Sequence, residues 1–98
     1  MNLYLLLLEL GFIYSNENKS GFFYLAKGFG WVSVSQAPLY LHVSLRDPMK
    51  PDNILGIVTL PLDAEKQANT DPLIDLLAAK GYAPALARRR LRMLQHLL

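Results

Sequence analysis

Apolar and polar residues alternate most regularly in the middle of the chain, in the segment LYLHVSLR from Leu39 to Arg46. A period of two places alternate side chains on opposite faces of a strand, so this segment predicts a half-buried β-strand. The segments GWVSVS before it and ILGIVTL after it predict two more strands, and Pro61 stops the second of them. Further upstream, aromatic segments on either side of the polar turn SNENKSG predict a hairpin. We therefore predict four or five antiparallel strands in meander order.

A helix is predicted ahead of this sheet. Leucine and glutamate, which favour helices, fill most of residues 3–10, Asn2 can cap the start, and Gly11 stands where helices commonly end. A buried strand is the alternative for residues 3–10, because a short apolar run does not fix its own period. We favour the helix.

Two more helices are predicted at the C-terminal end. Thr70 or Asp71 can cap the first, Pro72 suits its first turn, and Gly81 can end it. Pro84 opens the second helix in the same way, and that helix runs to the end of the sequence. The order of elements predicts an α+β fold, with an N-terminal helix, a four- to five-stranded antiparallel meander sheet and two C-terminal helices packed on one face.

The length of 98 residues suits a single domain with one hydrophobic core. We predict that residues 1–62 form the first helix and the sheet, that residues 63–70 form a linker, and that residues 71–98 form a helical hairpin. Hydrophobic residues make up 52% of the chain and charged residues only 18%, below the roughly 25% of an average domain. A small monomer cannot easily hide so much apolar side chain, which favours a protein partner or a homodimer.

The composition disfavours several classes of protein. The lack of cysteine excludes disulfides and thiolate-bound metals, and two isolated histidines do not make a zinc site by themselves. The apolar run near the start has no basic residue before it, which argues against a signal peptide, and no segment reaches the roughly 20 apolar residues of a membrane-spanning helix. We expect a cytoplasmic protein that uses no cofactor and no metal and does not bind a membrane.

Charge is distributed unevenly along the chain. Residues 79–98 hold Lys80 and four arginines with no acid, a charge of +5, whereas residues 1–78 hold five basic and eight acidic residues, a charge of −3. Such asymmetry is typical of a contact with nucleic acid, of a contact with an acidic protein, or of a tail that docks on the acids of its own domain.

A helical wheel divides the last predicted helix into two faces. One arc of about 140° is apolar and is expected to belong to the core or to a subunit contact; it contains Ala83, Leu86, Ala87, Leu91, Leu94, Leu97 and Leu98. The other arc, of about 120°, is expected to be an outer strip that is either a solvated face or a contact with an acidic protein or with nucleic acid; besides Gln95 it contains the candidate binding residues Arg88, Arg89, Arg92 and His96.

Arg90 is the exception, because the wheel places it in the middle of the apolar arc. A buried guanidinium needs a carboxylate partner, and the candidates within the chain are Asp63, Glu65, Asp71 and Asp75. We therefore name Arg90, together with Leu97 and Leu98, as candidates for an interface or for a buried ion pair.

Aromatic residues are concentrated in the predicted sheet. Phe22, Tyr24, Trp31 and Tyr40 are candidates for an exposed aromatic patch that binds a partner, and ordinary core and cross-strand packing is the alternative explanation. His42 shares the polar face of its strand with hydroxyl-bearing side chains, a row that catalysis can use in principle. A solvated outer face explains the row better, so we predict no catalytic residues and no enzymatic activity.

The predicted function is a small non-enzymatic protein-interaction module that binds and occludes a partner's surface, and we expect that surface to be acidic. In size and lack of chemical motifs it is similar to small phage or mobile-element inhibitors of the anti-CRISPR type. The alternative is a nucleic-acid-binding protein that uses the arginine-rich helix, since the segment LLAAKGYAPALARRRLRML is similar to a helix-turn-helix with Gly81 at its turn. The segment departs from that pattern in two ways: Arg90 stands where an apolar residue is expected, and no third helix precedes the pair.

Overall fold

A computed structural model describes residues 2–15, 23–26, 28–50 and 52–97 of the chain, with the backbone alone described for residues 15, 23–25, 96 and 97. The elements in chain order are α1 (Leu3–Glu9), β1 (Ile13–Ser15), β2 (Phe23–Ala26), β3 (Gly30–Gln36), β4 (Tyr40–Arg46), β5 (Ile54–Pro61), α2 (Asp71–Ala79) and α3 (Ala83–Leu97). Helices and an antiparallel sheet in one chain, with two helices at the C-terminal end, confirm the predicted α+β class.

Strands β3, β4 and β5 form the centre of the sheet as an antiparallel meander. Val43 of β4 lies between Val34 of β3 and Val58 of β5, so the predicted alternation places one apolar row across three strands. A shift in register between Leu45 and Arg46 marks a bulge at the start of the β4–β5 connection. The loop after β4 is closed by Asp47, whose Oδ1 accepts hydrogen bonds from two backbone N–H groups.

The short strands β1 and β2 lie on the β3 side of this sheet. β1 pairs with β2, and β2 pairs with β3, both in antiparallel register. Most of the predicted hairpin turn between them falls in residues 16–22, which lie outside the described residues. The predicted count of four or five strands depends on these two short segments and stays a prediction.

The first helix forms where the sequence predicts it, and the alternative of a buried strand is wrong. The Oδ1 atom of Asn2 accepts the backbone N–H of Tyr4 at 2.9 Å, which satisfies one of the free donors at the helix start. At the other end Gly11 adopts φ +94°, and its N–H and that of Phe12 donate to the last turn of the helix. This arrangement is a Schellman motif, which requires a left-handed residue and therefore favours glycine.

Helix α2 ends in the same way at Gly81, which has φ +83°. Its start differs in one detail from the prediction, because the side chain of Thr70 makes no capping hydrogen bond. Instead, Asn69 accepts the N–H of Asp71 through its Oδ1 at 3.2 Å. After Gly81 only Tyr82 separates α2 from α3, so the two helices form the predicted hairpin with a very tight connection.

The core lies between one face of the sheet and helices α1 and α2. Its largest fully buried side chains come from all three, and they are Leu6, Leu7, Leu10, Phe12, Val32, Val43, Leu45, Leu60, Leu73 and Leu77. Helix α2 approaches β5 closely at Gly56, where a Cβ atom would stand 2.8 Å from Cδ1 of Leu76. Helix α3 packs mainly on α2 rather than on the strands, and it contributes Ala85 to the core.

Candidate partner-binding surface

Tyr82 fixes the point at which α3 leaves the body of the domain. Its ring packs against Phe29 at a centroid distance of 4.4 Å and against Phe12 at 5.3 Å. Its hydroxyl donates a hydrogen bond to the backbone carbonyl of Leu10, at the end of α1. Burial raises the pKa of the Tyr82 hydroxyl above its ordinary value of 10.0, so the group stays protonated and able to donate at neutral pH.

Helix α3 turns Ala85, Leu86 and the stems of Arg88 and Arg92 toward the body, whereas Leu91 and Leu94 are exposed. Ala85 is fully buried, and one and two turns further along Arg88 and Arg92 are half-buried. A small residue at the closest point lets the two helices approach, and the long aliphatic stems of the arginines then cover the neighbouring helices while their charged ends reach solvent-accessible acids. The outer strip predicted for Arg88 and Arg92 is therefore the inner side of the helix.

Ion pairs hold this inner side against α1 and α2. Arg88 forms an ion pair with Glu9 at the end of α1. Arg92 contacts two acids one turn apart on α2, with Nη2 2.5 Å from Oδ1 of Asp75 and Nη1 3.0 Å from Oδ1 of Asp71. The hydrogen bond to Asp75 is the largest of several influences that raise the pKa of Arg92, and partial desolvation opposes it. Three acids of the domain are thus occupied by two arginines of its own tail.

The sequence pattern missed Glu9 and Tyr82 as residues of this surface. A signal existed for Glu9, because an acid in the last turn of a helix is unfavourable beside the negative end of the helix dipole and favours a basic partner nearby. No comparable signal existed for Tyr82, whose contacts with residues near the chain start depend on the folded arrangement.

Part of the apolar arc of α3 faces outward, whereas Leu86 of the same arc packs against the core. We call Ala87, Leu91 and Leu94 the outer stripe; all three are exposed, and both leucines retain 58% of their accessible surface. Met93 beside the stripe is 56% exposed. The wheel assigned the apolar arc to the core or to a subunit contact. Leu91 and Leu94 lie outside the core, and a role at a subunit contact stays a prediction.

Arg90 lies beside the outer stripe and is exposed, so it is not a buried guanidinium that needs an acid of its own domain. Two of the acids considered for it, Asp71 and Asp75, pair with Arg92 instead. Arg89 is also exposed. The roles of Arg89 and Arg90 in binding a partner stay predictions.

Three further predicted residues lie at the end of the helix. The structure describes only the backbone of His96 and Leu97, and Leu98 lies outside the described residues. Their roles at a partner or dimer interface stay predictions.

The candidate aromatic patch is spread over the sheet. Trp31 is half-buried and donates its Nε1–H to the carbonyl of Pro48 at 3.3 Å, beside Arg46 in the strand register. Tyr40 lies at the opposite end of β4, about 20 Å from Arg46 at roughly 3.3 Å per residue. Phe22 lies outside the described residues, and the side chain of Tyr24 is not described. The structure therefore does not bring Trp31 and Tyr40 into one patch.

His42 lies on the exposed face of the sheet that α1 and α2 leave uncovered. Its Nδ1 is 3.4 Å from the hydroxyl oxygen of Thr59, and its ring meets the ring of Tyr40 edge to face at 4.7 Å. Neither neighbour is a carboxylate able to orient the imidazole as a catalytic base.

Among the described residues no cluster of three or more potential metal-binding side chains occurs, and no helix there has the length and apolar character needed to cross a bilayer. Comparison of the sequence with models of known protein families finds no match, and comparison with curated proteins and with solved structures finds no significant match.

Proposed function

We propose that this chain is a small non-enzymatic module that binds a protein partner and occludes part of its surface. The observation that carries the proposal is the orientation of α3, which docks on the domain through Arg88 and Arg92 and leaves the outer stripe exposed. A helix that docks through Ala85, Leu86 and two ion-paired arginines while leaving Leu91 and Leu94 in water is poorly explained by the stability of an isolated monomer. It is well explained by a second surface that covers the leucines.

Burial of Leu91 and Leu94 is expected to contribute to the free energy of binding. Full burial of a leucine side chain is worth about 1.5–3 kcal/mol, so covering Leu91 and Leu94 would supply a useful part of the free energy of binding. The exposed Arg90 beside these leucines also suits recognition of an acidic protein, since the charge speeds the encounter and the apolar contacts slow dissociation.

Binding of nucleic acid is the competing proposal, and the ion pairs of α3 disfavour it. A phosphate-binding strip needs several arginines free to neutralise phosphates. Arg88 and Arg92 are engaged by Glu9, Asp71 and Asp75, which would have to be displaced first. Arg89 and Arg90, the two exposed arginines of α3, would neutralise few phosphates and give weak binding.

The test is capture from an extract of the native host with the immobilised chain, scored for bound protein and for bound nucleic acid. We expect a protein to be captured by the unchanged chain and lost with the double variant Leu91→Gln, Leu94→Gln. The matched control is Leu5→Gln, Leu8→Gln, which changes two leucines of α1 that are 58% and 53% exposed. Equal loss with both double variants, or capture of nucleic acid alone at about 50 mM salt, where phosphate contacts are strong, would contradict the proposal.

The proposal also includes the acidity of the partner, the strand order of the sheet, an anti-defence role and a cytoplasmic location. The acidic character of the partner is supported by Arg90, which lies exposed beside the outer stripe. The sheet order β1-β2-β3-β4-β5 is supported by the backbone pairing of the two short strands. The anti-defence role and the cytoplasmic location stay predictions that the identity of the captured partner would test.

A further inference from the structure

We propose that the outer stripe of α3 binds an amphipathic helix of another protein, and that this helix carries carboxylates beside its apolar face that pair with Arg90. The inference rests on the proposed function, because it names the chemistry of the partner at the same surface. It assigns Arg90 the role of selecting the partner by charge.

The spacing of the outer stripe fits a helix as the occupant. Ala87, Leu91 and Leu94 follow one another at intervals of four and three residues, which is the spacing of the contact seam between two helices packed side by side. Helix α3 spans 15 residues and is therefore about 22 Å long. Arg90 directly precedes Leu91, which is a position that flanks such a seam and forms salt bridges with the facing helix.

Charge on α3 determines what the facing helix must carry. From Ala83 to Leu97 the helix has four arginines and no acidic residue. Arg88 and Arg92 already pair with acids of the domain, whereas Arg90 lies exposed next to the leucines that a partner would cover. Covering those leucines removes water from around Arg90, and a guanidinium that loses water without gaining a carboxylate weakens binding. The partner therefore supplies the carboxylate.

A second copy of the chain satisfies this requirement poorly. If the outer stripe packed on the same stripe of another copy, the facing helix would again contain no acid, so both Arg90 side chains would lose water without an ion pair. Like charges facing each other across a helix pair also disfavour the pairing. Charge complementarity thus favours an acidic helix over a homodimer built on this stripe.

The test uses three synthetic helical peptides of identical length with leucines at the seam positions. Their flanking positions hold glutamate in the first, glutamine in the second and lysine in the third, and binding to the full chain is measured by fluorescence anisotropy. We expect the glutamate peptide to bind most tightly and the substitution Arg90→Glu to weaken it by about tenfold, since an unpaired or repelled charge at an interface costs that much or more. The lysine peptide should bind better to Arg90→Glu than to the unchanged chain.

The matched control is Arg89→Glu, which changes the net charge by the same amount at an exposed position about 170° around the helix from the centre of the outer stripe. Similar weakening by Arg89→Glu and Arg90→Glu would overturn the inference, as would equal binding of the three peptides or no binding of any. Light scattering that shows a dimer dispersed by Leu91→Gln, Leu94→Gln would also overturn it in favour of a second copy. If capture from the host extract depends on the two leucines while these peptide results fail, only the acidic helix is excluded and the proposed function stands.

Discussion

A single residue, Tyr82, joins three parts of the chain that are distant in sequence. Its ring lies on Phe29 at the turn before β3 and on Phe12 after α1, and its hydroxyl caps the carbonyl of Leu10. Because α3 begins at the next residue, the direction of Tyr82 sets which side of α3 faces the body. The side chain of Tyr82 therefore helps to set the orientation of α3, on which the proposed function depends.

We predict that Tyr82→Phe lowers the free energy of unfolding by about 1 kcal/mol, the usual net value of one hydrogen bond, since the ring contacts remain and only the hydroxyl is lost. Urea unfolding followed by circular dichroism measures the change. The control is Tyr40→Phe, which removes a hydroxyl from a ring on the exposed face of the sheet. An equal loss of unfolding free energy for Tyr40→Phe would show that the hydrogen bond from Tyr82 to Leu10 stabilises the fold no more than an exposed tyrosine hydroxyl does.

The raised pKa of Tyr82 gives a second prediction, on the dependence of stability on pH. A tyrosine whose pKa is higher in the folded chain than in the unfolded chain holds its proton more tightly when folded. Its contribution to stability is therefore complete below the ordinary pKa of 10.0 and is lost as the pH rises past the folded value. The difference in unfolding free energy between the unchanged chain and Tyr82→Phe should shrink at alkaline pH, and a difference that stays constant through that range would contradict the assignment.

At the scale of elements, the sequence predicted well those features that depend on neighbouring residues. Asn2 as a cap, the two glycines that end α1 and α2, and the alternation in β4 each act within a few residues, so pattern alone locates them. The two faces of α3 were also separated correctly by pattern. A wheel gives angles between side chains of one helix but contains no reference to the rest of the molecule, and for that reason it left the apolar arc of α3 open between the core and a subunit contact.

The ion pairs of α3 lead to a prediction at this scale. Exposed ion pairs are worth about 0.2–1 kcal/mol each, and Arg92 makes two of them. We expect Arg92→Gln to lower thermal stability measurably at low salt, and the loss to become smaller at about 1 M salt, where charges are screened over roughly 3 Å. Arg90→Gln, which removes the same charge from an exposed position two residues earlier, should have little effect at either salt concentration. Equal effects of the two substitutions would mean that α3 is not docked through Arg92.

At the scale of the whole molecule, apolar side chains fall into two populations. One fills the core between the sheet and the helices α1 and α2, where Leu73 and Leu77 are fully buried. The other lies on the surface, and on α3 it forms a continuous row. The composition of 52% hydrophobic residues favoured a partner or a dimer, but only the folded arrangement shows which leucines are exposed.

Substitutions in the core should lower the free energy of unfolding far more than substitutions in the outer stripe. Leu77→Ala leaves a cavity in the core and is expected to cost about 2–5 kcal/mol of unfolding free energy. Leu91→Gln, Leu94→Gln should change it by only about 0.5 kcal/mol per site, because both side chains are already in water in the free chain. Unfolding is measured in urea at two protein concentrations, since a homodimer would make the stability depend on concentration. A loss of several kcal/mol for the double variant at both concentrations would place the leucines in the core, reverse the orientation of α3, and remove the basis for binding at the outer stripe.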